Sequence, residues 1–224
     1  MKVGQLSCVA IAISILATSV FAQLPKPFEM SSAATDLPRV HHPDRSAKLK
    51  ITLRIYDFAK IDPAVLIAAR EVTTEILRAA GLEADWIDCS ATQINCDEEG
   101  NRPHFRLRIL SGALVRDIVK DEALGFAVPC ARNEQFCLSY IFYSRISALA
   151  AAHGPGPDRI LGHVMAHEVG HALLGPSSHA LFGIMQSQLR VYDMERILYF
   201  TSAQSKHMRS ELCTRNQPQD KVGE

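Results

Sequence analysis

A short stretch of the chain, HEVGHALLGPSSH from His167 to His179, has residue types and spacing that can bind a metal ion. His167 and His171 are four residues apart, so on a helix they project from the same face, one turn apart. Two imidazoles placed in this way can both bind one ion at about 2.0–2.1 Å. Glu168 follows the first histidine and can take a proton from a water on that ion without binding the ion itself. The spacing therefore predicts a catalytic zinc site (Zn²⁺) with Glu168 as its general base.

The third ligand of this site must come from beyond the helix. A catalytic zinc ion takes three protein ligands and keeps one position open. Gly175 ends the helix and lets the chain turn back, so His179, eight residues after His171, is the predicted third ligand. In the alternative, the third ligand is a carboxylate from a later helix, and Asp193 and Glu195 lie at about the right distance along the chain.

The surroundings of the motif favour a real site over a chance match. The sequence predicts a helix from Arg159 to Leu174, which starts after Gly156 or Asp158 and ends at Gly175. Most of its other side chains are apolar, so three ionisable groups within it are costly unless they have partners. A chance motif in an exported structural domain without a metal is the alternative.

The other histidines lack supporting spacing. His163 lies too far along a straight helix from His171 to share its ion, and we expect it to be a partly exposed residue at the helix start. A role beside the ligands or the substrate is its alternative. The remaining histidines are predicted to lie at the surface: His41, His42, His104, His153 and His207.

The segments before the motif predict a sheet. Residues 48–56 alternate strictly, which predicts a half-buried strand with Thr52 and Arg54 on its solvent side. Asp62-Pro63 starts a helix that Gly81 ends, and LEADWIDC reads as a second strand. Strand, helix and strand in succession imply a right-handed crossover and parallel pairing. Two further strands are predicted at residues 105–109 and, on an edge, at residues 123–128. A third is predicted at the start of LSYIFYSRISALAAA, which then runs into a helix or turn. Tyr192–Phe200 and Ser202–Cys213 are predicted to be helical.

The N-terminal residues predict export. Met1 to Ala22 has a lysine, then an apolar run that is shorter than the roughly 20 residues of a membrane span, and then small residues, as in a cleaved signal peptide. An uncleaved membrane anchor, or less favourably a lipoprotein through Cys8, is the alternative. The predicted organisation is a signal peptide at 1–22, a flexible leader at 23–47, a folded domain at 48–213 and a polar tail at 214–224.

Export changes how the cysteines are interpreted. Cys89 and Cys96 have the same spacing as Cys130 and Cys137, and in an oxidising compartment each pair could close a short loop. Cross-pairing between the loops and a four-cysteine zinc site remain open at this point, and Cys213 is left over.

The overall charge does not favour a nucleic-acid partner. Lys and Arg number 24, as do Asp and Glu, so the formal net charge is zero and gives no basis for binding nucleic acid. We expect a secreted or periplasmic monomer without stable membrane association once the signal is removed.

The segment HEVGHALLGPSSHALFGIM resembles the metzincin clan of zinc metallopeptidases. Their pattern is HExxHxxGxxH, followed by a methionine turn (Met-turn) beneath the metal. Four residues match this pattern: His167, Glu168, His171 and Met185. The family glycine falls one place later, at Gly175, and the third histidine two places later, at His179, which implies a longer loop. The tyrosine that some members place two residues after the methionine is Ser187 here.

The resemblance implies a fold and an activity. LGFAVP resembles the substrate-aligning edge strand of matrixin-like metzincins, which implies that a peptide lies as an added strand along Gly125, Phe126, Ala127 and Val128. The implied fold is α+β, a twisted and mostly parallel sheet with an antiparallel edge strand, packed on helices that include the motif helix, then a small mainly helical C-terminal subdomain. The implied protein is an exported zinc-dependent metalloendopeptidase acting on peptides or proteins. An exported zinc-binding or adhesion module without turnover is the alternative from another functional class.

Overall fold

The computed structural model describes residues 49–90, 96, 104–112, 123–131, 134 and 136–216. All of them belong to one compact unit, Asp44–Glu224. The predicted signal peptide and leader, and residues 217–224 of the predicted tail, lie outside the described residues, as do His41 and His42. Within the described part, no helix combines the length and apolar character that crossing a membrane requires.

The described strands form one five-stranded sheet in the order β2-β1-β3-β5-β4. β1 pairs in parallel with β2 and β3, β3 pairs in parallel with β5, and β4 pairs antiparallel with β5 at the edge. This arrangement confirms the predicted, mostly parallel sheet with an antiparallel edge strand. The strands are β1 (Leu49–Asp57), β2 (Leu82–Asp88), β3 (His104–Leu110), β4 (Gly125–Ala127) and β5 (Phe136–Phe142).

Helices pack on the sheet, and the motif helix is among them. The first helix begins after Asp62, as predicted. The Asp62 carboxylate caps it by accepting a hydrogen bond of 2.8 Å from the Ala64 N–H. Just after its end, Gly81 has a φ of 84°, a conformation that glycine adopts without steric penalty. The helices are α1 (Pro63–Ala79), α2 (Tyr143–His153), α3 (Pro157–Leu174), a 3₁₀-helix (Val191–Glu195) and α4 (Ser202–Arg215).

The core lies between the sheet and the helices, and α3 is buried in it. α1 packs closely on α3 at Gly162, where an added Cβ would lie 2.6 Å from the Cβ of Val72 and 2.7 Å from the Ala69 carbonyl oxygen. The Thr73 hydroxyl donates to the Gly162 carbonyl at 3.0 Å. The sheet contributes its alternating apolar residues to this core: Ile51, Leu53, Ile55, Phe105, Leu107 and Ile109. The motif helix therefore packs against both the sheet and α1.

The prediction that β1 is only half-buried is wrong. Thr52 and Arg54, expected on the solvent side, are 6% and 3% exposed. β1 is an interior strand, and its register places Arg54 beside Arg106 of β3. On the same face, the Arg106 guanidinium lies 3.9 Å from the centre of the Phe136 ring. Arginines stacked on aromatic rings cover this second face, which the alternation in the sequence cannot reveal.

The C-terminal segments differ in part from the prediction. Of Tyr192–Phe200, only the first residues belong to the 3₁₀-helix, and the rest is not helical. Its backbone is bonded to other elements, since Leu198 N–H donates to His163 and Tyr199 C=O accepts from Ile184. α4 starts as predicted, with a capping box between Thr201 and Gln204. It continues to Arg215, past Cys213, where the predicted domain ended.

Candidate metal centre

The end of α3 and the loop after it bring the third histidine back to the first two. Gly175 ends α3 with a φ of 92°, and its N–H donates to the His171 carbonyl at 2.8 Å. The chain then reverses, so that the Nε2 atom of His179 lies 3.1 Å from the Nε2 atom of His171. The predicted third histidine therefore reaches the site despite its longer loop.

The three predicted ligands form a cluster that can hold a metal ion. One ring nitrogen from each of His167, His171 and His179 lies within 4.8 Å of the others. A tetrahedral ion with bonds of about 2.0–2.1 Å has ligand atoms about 3.3–3.4 Å apart, close to the separation of 3.1 Å between His171 and His179. His167 is buried and His179 is exposed, so the cluster opens to solvent on one side.

Hydrogen bonds fix which nitrogen of each α3 histidine faces the cluster. The Ile184 carbonyl lies 2.8 Å from Nδ1 of His167. Nδ1 of His171 lies 3.1 Å from the Ser178 hydroxyl, which itself donates to the Gly175 carbonyl, and 3.3 Å from that carbonyl. A carbonyl oxygen only accepts, so each Nδ1 carries the proton and donates it. Each Nε2 is then left with a lone pair for a metal, the usual way in which a protein orients histidine ligands.

The α3 histidines are held in the neutral form that binds metals. Burial is the main cause that lowers the pKa of His167 to about 4, and the neighbouring His171 and His179 contribute in the same direction. Burial and the nearby His179 also lower the pKa of His171. Near neutral pH, neither histidine must lose a proton before it binds a metal ion.

Glu168 is a buried carboxyl group beside the cluster. It is 3% exposed, and burial raises its pKa to about 8. Among the described residues, its Oε2 atom has no hydrogen-bond partner. Its Oε1 atom faces Gly125 of β4, where an added Cβ would lie 2.8 Å from that oxygen. Such a carboxyl oxygen can form a hydrogen bond with a group from outside the chain, such as a water molecule or a substrate.

Met185 lies against α3 at the level of the ligands. It is fully buried, and an added Cβ on Gly170 would lie 2.5 Å from its sulfur. Its carbonyl accepts from the Ala180 N–H at 2.7 Å, which closes the loop after His179. The residue before it, Ile184, provides the carbonyl that orients His167.

A groove of about 1300 Å³ runs past the cluster and Glu168. Gly125, Phe126 and Ala127 line it from β4, whose outer edge is free of any strand pairing in the described sheet. Val128 does not line it, but its N–H extends the pairing of β4 with β5 by donating to Leu138 at 2.8 Å. Other lining residues come from α2 and from residues 186–189 and 191.

The alternative ligands are placed elsewhere. Neither Asp193 nor Glu195 belongs to the described histidine cluster. His163 is fully buried, so its predicted partial exposure is wrong. Its Nδ1 donates to the Arg159 carbonyl at 2.7 Å, and its Nε2 accepts from the Leu198 N–H at 3.1 Å. This bonding makes His163 a link between α3 and the segment after the 3₁₀-helix.

The remaining described histidines follow the prediction with one exception. His153 and His207 are exposed as expected. His104 is buried at the start of β3, so its surface prediction is wrong. β3 is an interior strand of the sheet, which accounts for the burial.

Both predicted disulfides form within their own loops. Cys89 is bonded to Cys96 with an S–S distance of 2.13 Å, and Cys130 to Cys137 with 2.04 Å. The pairing excludes cross-linking between the loops and the four-cysteine zinc site. Cys213 is free and exposed.

Sequence reasoning missed two contributions near the site. One face of α2 lines the groove with residues at helical spacing, Arg145, Ala148, Leu149 and Ala152. That spacing is visible in the sequence, but only the fold shows that it faces the groove. The other contribution is Arg215, which the sequence places in a polar tail and the structure places against the end of α3.

Comparisons with known proteins give little at the sequence level. No protein-family profile matches the chain. None of the curated proteins matches it either.

Solved structures that are similar to this chain include two from archaeal proteins. A zinc-dependent peptidase from Methanocorpusculum labreanum aligns with 11% identity and a TM-score of 0.48, over 70% of this chain and 99% of that one. Archaemetzincin from Methanopyrus kandleri aligns with 14% identity and a TM-score of 0.42, over 77% of this chain and 99% of that one. At such scores neither likeness supports a function, which must be inferred from the residues of the site.

Proposed function

We propose that this chain is an exported zinc-dependent metalloendopeptidase. One observation carries the proposal: His167, His171 and His179 converge beside the buried carboxyl of Glu168, in a groove along the free edge of β4. A metal site alone would need only the histidines. The Glu168 carboxyl, whose Oε2 has no partner among the described residues, adds a proton acceptor, and the adjacent strand edge adds a surface for an extended peptide.

The residues present fit zinc. Three imidazoles suit Zn²⁺, and three protein ligands with one open side are typical of its catalytic sites. The proposal assigns His167, His171 and His179 as these ligands, each binding through Nε2. The carbonyls of Ile184 and Gly175 support it, because they hold the two α3 imidazoles in the required orientation.

The chemistry is hydrolysis of a peptide bond. Bound to the three histidines, zinc would supply a water of lowered pKa and a Lewis acid for the peptide carbonyl. Glu168 is the proposed general base: its Oε2 would take a proton from the attacking water and pass it to the leaving amine. Burial raises the pKa of Glu168 to about 8, so its carboxylate is a strong proton acceptor once ionised, and a nearby cation would favour that ionised form.

The peptide binds as an added strand on β4. Backbone groups on the outer edge of Gly125, Phe126 and Ala127 are not used by the sheet and can pair with an extended substrate, with Val128 continuing this edge. Gly125 allows this edge to approach Glu168, since an added Cβ there would lie 2.8 Å from the Oε1 atom of Glu168. The attacked carbonyl is thereby placed beside the general base.

Within zinc peptidases, we assign the chain to the metzincin clan, as a matrixin-like member. Met185 would be the Met-turn residue, and its burial against α3 supports that role. The loop between His171 and His179 is longer than the family pattern by two residues and still returns a histidine to the cluster. Met185 supports the ligands and takes no part in proton transfer.

Export and organisation complete the proposal. Two disulfides favour an oxidising compartment and so a secreted or periplasmic protein. The proposed organisation is a signal peptide at 1–22, a leader at 23–47, a catalytic domain from 48 and a short polar tail. The mature chain acts as a monomer on peptide or protein substrates, without nucleic acid and without stable membrane association.

The test is cleavage of a peptide library by the zinc-loaded mature chain and by Glu168→Gln. The wild type should cleave internal peptide bonds, and Glu168→Gln should be slower by roughly 10²–10⁴-fold with equal zinc content. Equal cleavage by both proteins would remove Glu168 from the mechanism. Zinc binding without cleavage by the wild type would favour the zinc-binding module instead.

A further inference from the structure

Arg215 ends the last helix, yet its side chain is buried. It is 6% exposed, and its Nε atom lies 3.2 Å from Oε1 of Glu211, which is 7% exposed. Its Nη1 atom lies 3.5 Å from the sulfur of Cys130 and 3.3 Å from that of Cys137. Its Nη2 atom donates to the Ala172 carbonyl at 3.4 Å. One guanidinium group thus contacts α4, α3 and the disulfide.

These contacts satisfy a charge that would otherwise be costly to bury. A cation removed from water needs an opposite charge and hydrogen-bond acceptors. Glu211, one turn earlier on α4, supplies the charge. The planar fork of arginine then directs its remaining donors toward the carbonyl and the sulfurs, a geometry that lysine cannot reproduce.

The α3 contact is next to a predicted metal ligand. Ala172 follows His171 directly and lies in the last turn of α3. The last four carbonyls of a helix have no partner within it, so an outside donor must satisfy them. Arg215 is such a donor, and it ties α4 to the end of α3 that carries His171.

The contact with the disulfide connects Arg215 to β4, the proposed peptide-binding strand. The Cys130–Cys137 bond closes the loop between β4 and β5. Between Cys130 and β4 lies Val128, whose N–H donates to Leu138 of β5. Holding the disulfide therefore holds the carboxyl end of β4, the strand that borders the groove.

We infer that Arg215, with Glu211 and the Cys130–Cys137 disulfide, positions β4 relative to the metal-binding end of α3. The inference rests on the proposed function, because it assigns to Arg215 the alignment of a bound peptide with Glu168 and the histidines. Arg215 touches neither the cluster nor the groove, so it is a positioning residue. Its loss should loosen the peptide-binding edge and leave the metal ligands in place.

The test compares two perturbations with two matched controls. The perturbations are Arg215→Met and the double variant Cys130→Ser/Cys137→Ser. Arg209→Met is the first control, since Arg209 is on the same helix and its Nη1 donates at 2.7 Å to a carbonyl at the end of α1, Ala80. The second is Cys89→Ser/Cys96→Ser, a disulfide of equal spacing that follows β2 at the opposite edge of the sheet.

Three quantities are measured for each protein: zinc per chain, hydrogen exchange of the Val128 amide, and kcat and KM for a cleaved peptide. In both perturbed proteins, KM should rise by roughly 10- to 100-fold with a smaller change in kcat, because the substrate edge is misplaced. Exchange at Val128 should accelerate by at least about tenfold. Zinc content should stay at the wild-type level.

The controls distinguish a specific displacement of β4 from a general loss of stability of the domain. Arg209→Met and Cys89→Ser/Cys96→Ser should keep wild-type KM and wild-type exchange at Val128, even if their melting temperatures fall. If Arg215→Met and Arg209→Met have the same KM and exchange, or if Arg215→Met loses zinc, the inference is wrong. If the zinc-loaded wild type cleaves nothing, the proposed function fails, and exchange at Val128 alone decides whether Arg215 holds β4.

Discussion

Gly170→Ala tests whether Met185 and the carbonyl before it support the metal site. The added methyl group would lie 2.5 Å from the Met185 sulfur and 2.8 Å from Cε1 of Phe200. Carbon and sulfur atoms prefer separations of roughly 3.5–4 Å, so Met185 must retreat by about 1 Å. Met185 is fully buried and has little room to move. The movement should carry along Ile184, whose carbonyl orients His167.

The size of the effect follows from two opposing terms. Overpacking a core costs about 1–3 kcal/mol. Replacing glycine with alanine inside a helix stabilises the folded state by about 1 kcal/mol. The free energy of unfolding should therefore fall by about 0–2 kcal/mol, which lowers Tm by up to about 8 °C in a domain of this size. Zinc affinity should fall by roughly 10–100-fold, as it does when groups that orient ligands are disturbed.

Gly162→Ala is the matched control on the same helix. Its methyl group would lie 2.6 Å from Val72 and 2.7 Å from the Ala69 carbonyl, at the contact with α1. It should lower Tm at least as much, since a backbone oxygen cannot swing aside, and leave zinc affinity unchanged. Tm is measured on chelated protein and affinity by competitive zinc titration. Wild-type zinc affinity in Gly170→Ala, or an equal loss in both variants, would refute this account of Met185.

Two further variants probe the groove and the buried histidine. Gly125→Ala should push β4 away from Glu168 and lower kcat/KM by roughly 10- to 100-fold in peptide assays. Its zinc content should not change. Wild-type kinetics in this variant would mean that the peptide does not use this edge. His163→Leu should cost about 1–3 kcal/mol in urea unfolding, because the Leu198 N–H loses its acceptor. Burial lowers the pKa of His163, so the unfolded chain binds its proton first and stability falls as pH drops below about 6.5. His163→Leu should weaken that fall in chelated protein, and an unchanged pH profile would show that His163 does not cause it.

The local features of the site could be predicted from the sequence. Helical geometry alone puts His167 and His171 on one face, and Gly175 marks where the helix ends. The strand–helix–strand order gave the parallel pairing of β1 and β2. Each of these inferences depends on residues close together in the chain, where periodicity and capping are decisive.

The features that were missed depend on contacts between distant segments. His163 is buried because the segment around Leu198, 35 residues away in sequence, donates to it. Arg54 is 3% exposed on a face of the sheet where Arg106 stacks on Phe136. Arg215 sits in a polar stretch, and nothing in its neighbours' types indicates that two sulfurs and an α3 carbonyl surround it. Such partners become visible only in the fold.

Zinc content tests the central claim most directly. Elemental analysis would compare the mature wild type with His179→Ala, and with Glu195→Ala as the control for a carboxylate ligand. The account predicts about one zinc per chain in the wild type and in Glu195→Ala, and loss of zinc in His179→Ala. Zinc retained in His179→Ala, or no zinc in the wild type after reconstitution, would contradict it.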